Sequence, residues 1–282
     1  MQVVKTPEEL QALCLAWKRE GRRVGLVPTM GYLHEGHMAL MDRARSLCDK
    51  LVVSVFVNPT QFGPDEDLDK YPHDFEGDRA TAEAHGADVM FAPEPGAMYG
   101  PGHATWVVSP ELERNLCGAS RPVHFRGVCT VVTKLFMLAQ PDVAVFGEKD
   151  WQQLAIIRRM VRDLNIPVEI VGQPIVREAD GLAKSSRNAY LTADERALAP
   201  NLRKGLLKAA GRIEAGERDV EAVKAFVREE YARTIPMGEI DYVDLVDPET
   251  IAFVDRIDGP VLAAVAVRIG KARLLDNIFI KV

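Results

Sequence analysis

The chain has 282 residues, 47% of them hydrophobic and 27% charged, with a mean hydropathy of -0.07, the proportions of an ordinary soluble globular protein. Its net charge of -6, from 41 acidic and 35 basic side chains, argues against a nucleic-acid partner, because grip on a phosphate backbone needs a basic surplus. The longest apolar runs, such as 261–267, are too short to span a bilayer, and residues 1–10 lack the basic and apolar regions of a secretory signal.

Four cysteines, Cys14, Cys48, Cys117 and Cys129, show no CxxC spacing. Scattered thiols in a chain of this length fit a reducing compartment, and neither a disulfide frame nor a structural zinc site is expected. The expected location is the cytoplasm.

In chain order, residues 24–27 form a short apolar run ended by Pro28 and read as a buried strand. Met38, Met41, Ala44, Leu47 and Cys48 then recur at helical spacing, with Asp42, Arg43 and Arg45 on the other face. Residues 51–57 are a second continuous run, the mark of a strand covered on both sides. A polar loop follows, then a helix over 74–85, a strand over 88–92, a helix over 126–139 and a buried strand over 142–146. Trp151, Leu154, Ile157, Met160, Val161 and Leu164 line one face of the next helix, and a strand over 168–171 closes the series. Repeated β-α-β units with near-continuous apolar strands predict an α/β fold with a doubly wound parallel sheet, Rossmann-like, over residues 1–175.

After Gly172 and Pro174 the pattern changes. A polar loop over 177–188 leads to Thr192-Ala-Asp-Glu195, which reads as a capping box opening a helix that Pro200 breaks or restarts. A further helix through Val220, Val223, Phe226, Val227 and Tyr231 precedes strands at 239–245, 261–269 and 277–281. Residues 176–282 are therefore expected to form a smaller C-terminal α+β domain.

Chemistry concentrates in four places. The first is Pro28-Thr-Met-Gly-Tyr-Leu-His34-Glu-Gly-His37, at a strand-to-helix turn. Ligands of open parallel sheets bind beyond the strand C-termini, where helix N-terminal amides attract anions. Gly31 and Gly36 allow close backbone approach, and His34 and His37, one helical turn apart, suit two donors aimed at a phosphate. The competing reading is a pair of polar residues capping a helix. The second place is Asn58-Pro-Thr-Gln61, which leaves the sheet at the same edge and by itself is an ordinary turn. The third is Gly147-Glu-Lys149-Asp150-Trp-Gln-Gln153. Lys149 can pair with phosphates there, Asp150 can cap the helix or hold a metal, and Gln153 lies on the first turn. The fourth is Asp180-Gly-Leu-Ala-Lys184-Ser185-Ser186-Arg187-Asn188, suited either to close over a polyphosphate or to be a solvated loop.

Together these segments resemble a known family. The H-x-G-H motif and the late K-S-S-R loop are similar to the signatures of adenylate-forming nucleotidyltransferases. More narrowly, PTMGYLHEGH, FVNPTQF, Tyr71-Pro72, FGEKDWQQ and DGLAKSSRN, in that order, resemble the pantothenate synthetases, or pantoate–β-alanine ligases. Lys184 departs from the Met or Leu of many relatives. The resemblance implies ATP-driven condensation of (R)-pantoate with β-alanine through pantoyl adenylate, with Mg2+, release of AMP and pyrophosphate, and a homodimer. It places ATP on Met30, Gly31, Tyr32, Leu33, His34, Glu35, Gly36, His37, Gly147, Glu148, Lys149, Asp150, Val176, Lys184, Ser185, Ser186 and Arg187. His34, His37, Lys149 and Arg187 are expected to act in catalysis. Gln61 and Gln153 bind pantoate, Gln61 also meets β-alanine, and Asn58 stands with them. No metal ligand follows from it. Three other readings remain open: a nucleotidyltransferase acting on a phosphorylated cofactor precursor, a tRNA-charging enzyme, and a non-catalytic nucleotide-sensing module.

Overall fold

Apolar runs of strand length alternate with amphipathic helices, and in the computed structural model they fold into a six-stranded parallel sheet and a separate three-stranded antiparallel one. The structure describes residues 1–64, 66 and 68–282. They divide into two compact units. One comprises Met1–Ser109, Arg121–Glu148 and Ile156–Pro174; the other comprises Pro110–Ser120, Lys149–Ala155 and Ile175–Val282.

The first unit holds strands β1 (Gln2–Val4), β2 (Val24–Thr29), β3 (Lys50–Val55), β4 (Val89–Phe91), β5 (Val143–Gly147) and β6 (Glu169–Gln173), in spatial order β1-β4-β3-β2-β5-β6. Chain order runs outward from β2 through β3 to β4, then returns to β5 on the other side of β2. That reversal is the switch point at which open α/β sheets bind ligands. Register pairs Thr29 with Val55 and Leu26 with Ala144, so the loops after β3, β2 and β5 leave from three neighbouring strands.

The central strands are buried on both faces, as their unbroken apolar runs require. Val27, Leu51, Val53 and Val145 pack with Leu40, Met41 and Ala44 of helix α2 (Glu35–Arg45) and Ala82 of α3 (Phe75–Ala84). Leu26 and Val52, out of step by one residue, point the other way. Helices α1 (Pro7–Arg19) and α6 (His124–Ala139) pack on each other and on β2. A short α4 (Pro95–Met98) completes the helices that lie wholly in this unit.

The second unit contains α5 (Leu116–Ser120), the first residues of α7 (Trp151–Asp163), then α8 (Ala193–Leu198), α9 (Asn201–Glu214) and α10 (Val220–Thr234), with the sheet β7 (Glu239–Val246), β8 (Val261–Ile269), β9 (Ala272–Ile280). The expected capping box is present: Thr192 Oγ1 accepts from Glu195 N, and Glu195 accepts from Thr192 N. Pro200 does restart the helix, as the residue before α9. Val223, Val227 and Tyr231 are buried with Leu202, Leu206, Ile213 and alternate residues of the sheet.

Three local expectations change. A three-residue strand and a helix precede residue 24, because a run as short as Gln2–Val4 shows no period to read. Helix α2 ends at Arg45 with Ser46 as its cap, so Leu47 and Cys48 lie beyond it. Strand β9 begins at Ala272 rather than 277, with Asp276 and Asn277 buried within it.

At the opposite, N-terminal edge of the large sheet, two aspartates clip strand starts together. Asp88 accepts from Leu51 N at 2.9 Å and pairs with Arg45 and Lys50 at 2.9 and 3.0 Å. Asp142 accepts from Val24 N at 2.8 Å and pairs with Lys18. Burial opposes their charge, but the amides and cations hold both carboxyls below the ordinary aspartate value of 3.8. A depressed folded-state pKa stabilises the fold above the unfolded value and ceases to do so as pH falls through the folded one. Thermal unfolding midpoints should therefore drop on acidification below the ordinary aspartate value, and the drop should be smaller in an Asp88→Asn/Asp142→Asn double variant.

Candidate functional site

The turn after β2 is built around a buried carboxylate. Gly31 and Tyr32 both adopt positive φ, 86° and 53°, a backbone state that costs a tyrosine energy unless its surroundings impose it. Asp78, in the first turn of α3 and 3% exposed, imposes it: its Oδ2 accepts from Tyr32 N at 2.8 Å and its Oδ1 from Leu33 N at 2.6 Å. A Cβ at residue 31 would lie 2.7 Å from Asp78 Oδ2, so glycine is needed for space as well as φ. Burial pushes the Asp78 carboxyl above the usual carboxylate value in spite of these two donors. Gly31 N donates to Thr29 Oγ1 at 3.2 Å. The amides of residues 31–33 are thus used inside the protein, and the glycine serves the shape of the turn.

His34 is the N-cap of α2. Its Nδ1 accepts from Gly36 N at 3.1 Å, and His37 Nδ1 accepts from His34 N at 3.3 Å, with ring centroids 4.1 Å apart. The capping and donor readings are therefore compatible. A ring nitrogen that accepts a backbone N–H carries no proton, so in each neutral ring the proton sits on Nε2. Capping by one nitrogen makes the other a donor.

The loop after β3 carries an amide network. Asn58 is 1% exposed, and its Nδ2 donates to Gln61 Oε1 at 3.0 Å and to Gly127 O at 3.1 Å. Its Oδ1 accepts from Thr60 Oγ1 at 2.9 Å and Tyr99 OH at 2.8 Å. All four hydrogen-bonding positions of this side chain are filled within the protein. That leaves no position for the direct substrate contact expected of Asn58, which instead orients Gln61. With its oxygen held by Asn58, Gln61 turns Nε2 towards Met30, 3.0 Å from the sulfur. Gln61 O is held in turn by His124 Nδ1 at 3.1 Å and Arg121 at 3.4 Å, and Arg121 is paired with Glu66. Burial opposes the Glu66 charge, but Arg121 holds its carboxyl below the usual value.

The other unit carries the third segment from Lys149 onward and the whole of the fourth. Lys149 and Asp150 lie in a 3-10 turn, Glu148–Asp150, with Nζ 3.5 Å from Oδ2. The two adjacent glutamines separate cleanly. Gln152 is buried and donates to Leu112 O and Asn115 O, both at 2.8 Å. Gln153 is half-buried and its side chain makes no hydrogen bond among the described residues, which leaves its amide available to a ligand. The 177–188 segment is a hairpin and not an open loop: Arg177 bridges Ala183, and Lys184 N donates to Val176 O at 2.9 Å. Ser185 then caps a 3-10 turn, Ser186–Tyr190, through Arg187 N at 3.3 Å. Arg196 ties Glu178 and Asp180 at 2.6 and 2.7 Å, which holds the Asp180 carboxyl below its usual value.

Sequence reasoning missed Asp78, Tyr99, Arg121, His124 and Gly127. An aspartate in a first helical turn reads as dipole compensation, and the others act on the Asn58–Gln61 turn from segments far along the chain. Arg-Pro-Val-His-Phe-Arg-Gly, a cationic run opening an apolar helix, was the one available signal.

An open parallel sheet with a glycine- and histidine-bearing turn at its switch point defines a doubly wound α/β protein of the nucleotide-binding kind. The family model for pantoate–β-alanine ligase matches residues 2–279, and the chain belongs to that family. A pantothenate synthetase from Maridesulfovibrio salexigens is 58% identical over 100% of both chains, and one from Nitratidesulfovibrio vulgaris is 57% identical over 99% of both. Among solved structures, a pantothenate synthetase from Thermus thermophilus superposes with a TM-score of 0.92 at 48% identity, covering 99% of each chain. A pantoate–β-alanine ligase from Francisella tularensis, solved with β-γ ATP and β-alanine, has a TM-score of 0.80 at 29% identity, covering 99% of this chain and 97% of that one.

A Cβ on Gly127 would lie 2.5 Å from Thr60 O and 2.6 Å from Gln61 N and Cα. These are backbone atoms, so the Gln61 turn must move. Gly127→Ala should raise the KM for pantoate about 10- to 100-fold with less effect on the KM for ATP, read from steady-state kinetics on protein with an unchanged circular-dichroism spectrum. Asp78→Asn replaces one acceptor oxygen by an NH2 group facing a backbone donor. It should show the reverse selectivity, raising the KM for ATP.

Proposed function

We infer that this chain condenses pantoate with β-alanine, driven by ATP and through a pantoyl adenylate. The carrying observation is that the two imidazoles and the oriented Gln61 amide follow neighbouring strands β2 and β3. A carboxylate oxygen of pantoate attacks the α-phosphorus, the bond to the bridging oxygen breaks, and pyrophosphate leaves with the electron pair. The amine of β-alanine then attacks the acyl carbon, the bond to AMP breaks, and the nitrogen sheds its extra proton. Two of these substrates, ATP and β-alanine, agree with what the Francisella relative was solved with.

His34 and His37 donate through Nε2 to phosphate oxygens, and Lys149, Lys184 and Arg187 add positive charge, with the Ser185 and Ser186 hydroxyls beside them. Charge grows on those oxygens in the transition state, so such donors stabilise it more than the ground state. Losing one should cost about 3 kcal/mol, on the order of a hundredfold in rate. Met30, Gly31, Tyr32, Leu33, Glu35, Gly36, Gly147, Glu148, Asp150 and Val176 complete the nucleotide's surroundings. In this reading residues 1–175 serve ATP and pantoate, and residues 176–282 contribute the Lys184–Arg187 segment to the nucleotide. Among the described residues no group of three or more His, Cys, Asp or Glu side chains forms a metal site. The Asp150 carboxylate beside Lys149 is the side chain that would stand by Mg2+ bound to the phosphates. Bound so, Mg2+ would neutralise phosphate charge.

Gln61 and Gln153 hold pantoate. A bidentate arginine would bind the carboxylate more tightly and occupy the lone pairs that must attack, whereas neutral amides leave it nucleophilic. We also propose a cytoplasmic homodimer. Four free thiols suit that compartment, and no helix of the described residues is long and apolar enough to cross a membrane.

The test follows pyrophosphate and AMP from ATP and pantoate, with and without β-alanine. Pyrophosphate should form without the amine and AMP only with it. Pyrophosphate without AMP under all conditions would point to a nucleotidyltransferase instead, and AMP release that ignores the amine would point to hydrolysis of the adenylate. Gln153→Arg should slow adenylation while tightening pantoate binding; unchanged adenylation turnover would sink the neutral-amide argument.

A further inference from the structure

Strand β9 is an edge strand, paired only with β8, and it places two polar side chains in succession inside the fold. Asp276 is 3% exposed and Asn277 6%. Burying a carboxylate in such a place costs stability unless it is paired and hydrogen-bonded. Asp276 accepts a two-pronged contact from Arg177, Nη1 to Oδ2 and Nη2 to Oδ1, both 2.8 Å. The same Arg177 Nη1 donates to Gly181 O at 3.0 Å. One guanidinium therefore joins the strand to the base and the tip of the 177–188 hairpin.

Asn277 works from the other face of the strand, as successive residues must. Its Nδ2 donates to Lys149 O at 2.9 Å, and its own N–H donates to Asp276 Oδ1 at 2.8 Å. Phe279, on the same face as Asn277, stacks on Trp151 at 5.6 Å between centroids, and Trp151 Nε1 donates to Pro248 O at 2.8 Å. The Lys149–Trp151 segment is held by one face of β9 and the hairpin by the other.

We propose that Asp276 and Asn277 are positioning residues for ATP activation, setting Lys149 and the Lys184–Arg187 segment at a fixed distance from one another across a single step of β9. Stability alone does not call for this arrangement. Apolar residues of similar volume usually serve a core as well as a buried ion pair, whereas a bidentate fork and an amide-to-carbonyl bond fix direction. Burial and Arg177 also work against the charge of Arg203, and Asp276 is the group that supports it.

The proposal rests on the assignment of Lys149 and Lys184–Arg187 to the nucleotide, and the experiment separates the two. On the full chain, pantoate-dependent ATP–pyrophosphate exchange reports the first half-reaction, and β-alanine attack on supplied pantoyl adenylate reports the second. Asn277→Ala and Asp276→Asn should raise the KM for ATP in exchange about 10- to 100-fold, with the KM for pantoate and the aminolysis rate within about twofold of wild type. Arg177→Lys keeps the charge and loses the fork, and serves where Asp276→Asn does not fold. Asn277→Gln, which retains the donor, should recover part of the loss. A normal KM for ATP in the β9 variants, alongside a raised one in Lys149→Ala and Lys184→Ala, overturns the positioning role. So does an equal loss in both half-reactions that tracks the fall in unfolding midpoint. If Lys149→Ala and Lys184→Ala themselves leave ATP kinetics untouched, the nucleotide assignment fails, and this inference with it.

Discussion

Strand β2 lies between β3 and β5, parallel to both, and the rest of the first unit's architecture follows from that pairing. Parallel neighbours put their C-terminal ends at one edge, and the reversal of strand order at β2 keeps helices from closing over it. Both faces of the strand are covered, so its register cannot slip without moving Leu26 and Val27 out of their packing. The loops after three neighbouring strands consequently emerge in fixed relation, whatever chemistry they carry.

At that edge the polar groups are largely spent on one another. The Nδ1 atoms of His34 and His37 cap α2, the Asn58 amide is saturated, and the amides of residues 31–33 answer Thr29 and Asp78. What each arrangement fixes is the direction of one further group: an imidazole Nε2, or the Nε2 of Gln61, turned to the Met30 sulfur. Because the internal bonds already fix these directions, a ligand need not order them on binding, and its binding energy is not consumed in doing so.

The carboxylates show how different positions are tuned. Asp88 and Asp142, far from the proposed site, are held below the ordinary value by amides and cations. Asp78 is raised by burial although it holds two amides. A charge kept where its environment disfavours it is a cost in stability, of the sort proteins accept where a backbone turn must be held in a strained shape. The positive φ of Tyr32 is that shape.

The alternation of apolar runs and helical stripes was enough to read the parallel sheet, because strands buried on both faces must be apolar throughout and the helices covering them must be amphipathic. The motif residues were likewise legible, since their types and spacing at strand ends carry the chemistry. Strands β1 and β9 were not legible, or were cut short. A three-residue edge strand has too few positions for a period, and the polar Asp276 interrupts the apolar pattern of β9 at a place where only its pairing with Arg177 explains its burial. Asp78, Gly127 and Asn277 share that character. Each acts on a segment distant in sequence, and a residue whose role lies in what it touches across the fold leaves no local pattern. Sequence alone determined which groups can do chemistry; tertiary contact decided which way they point, because hydrogen-bond direction depends on partners that only folding brings together.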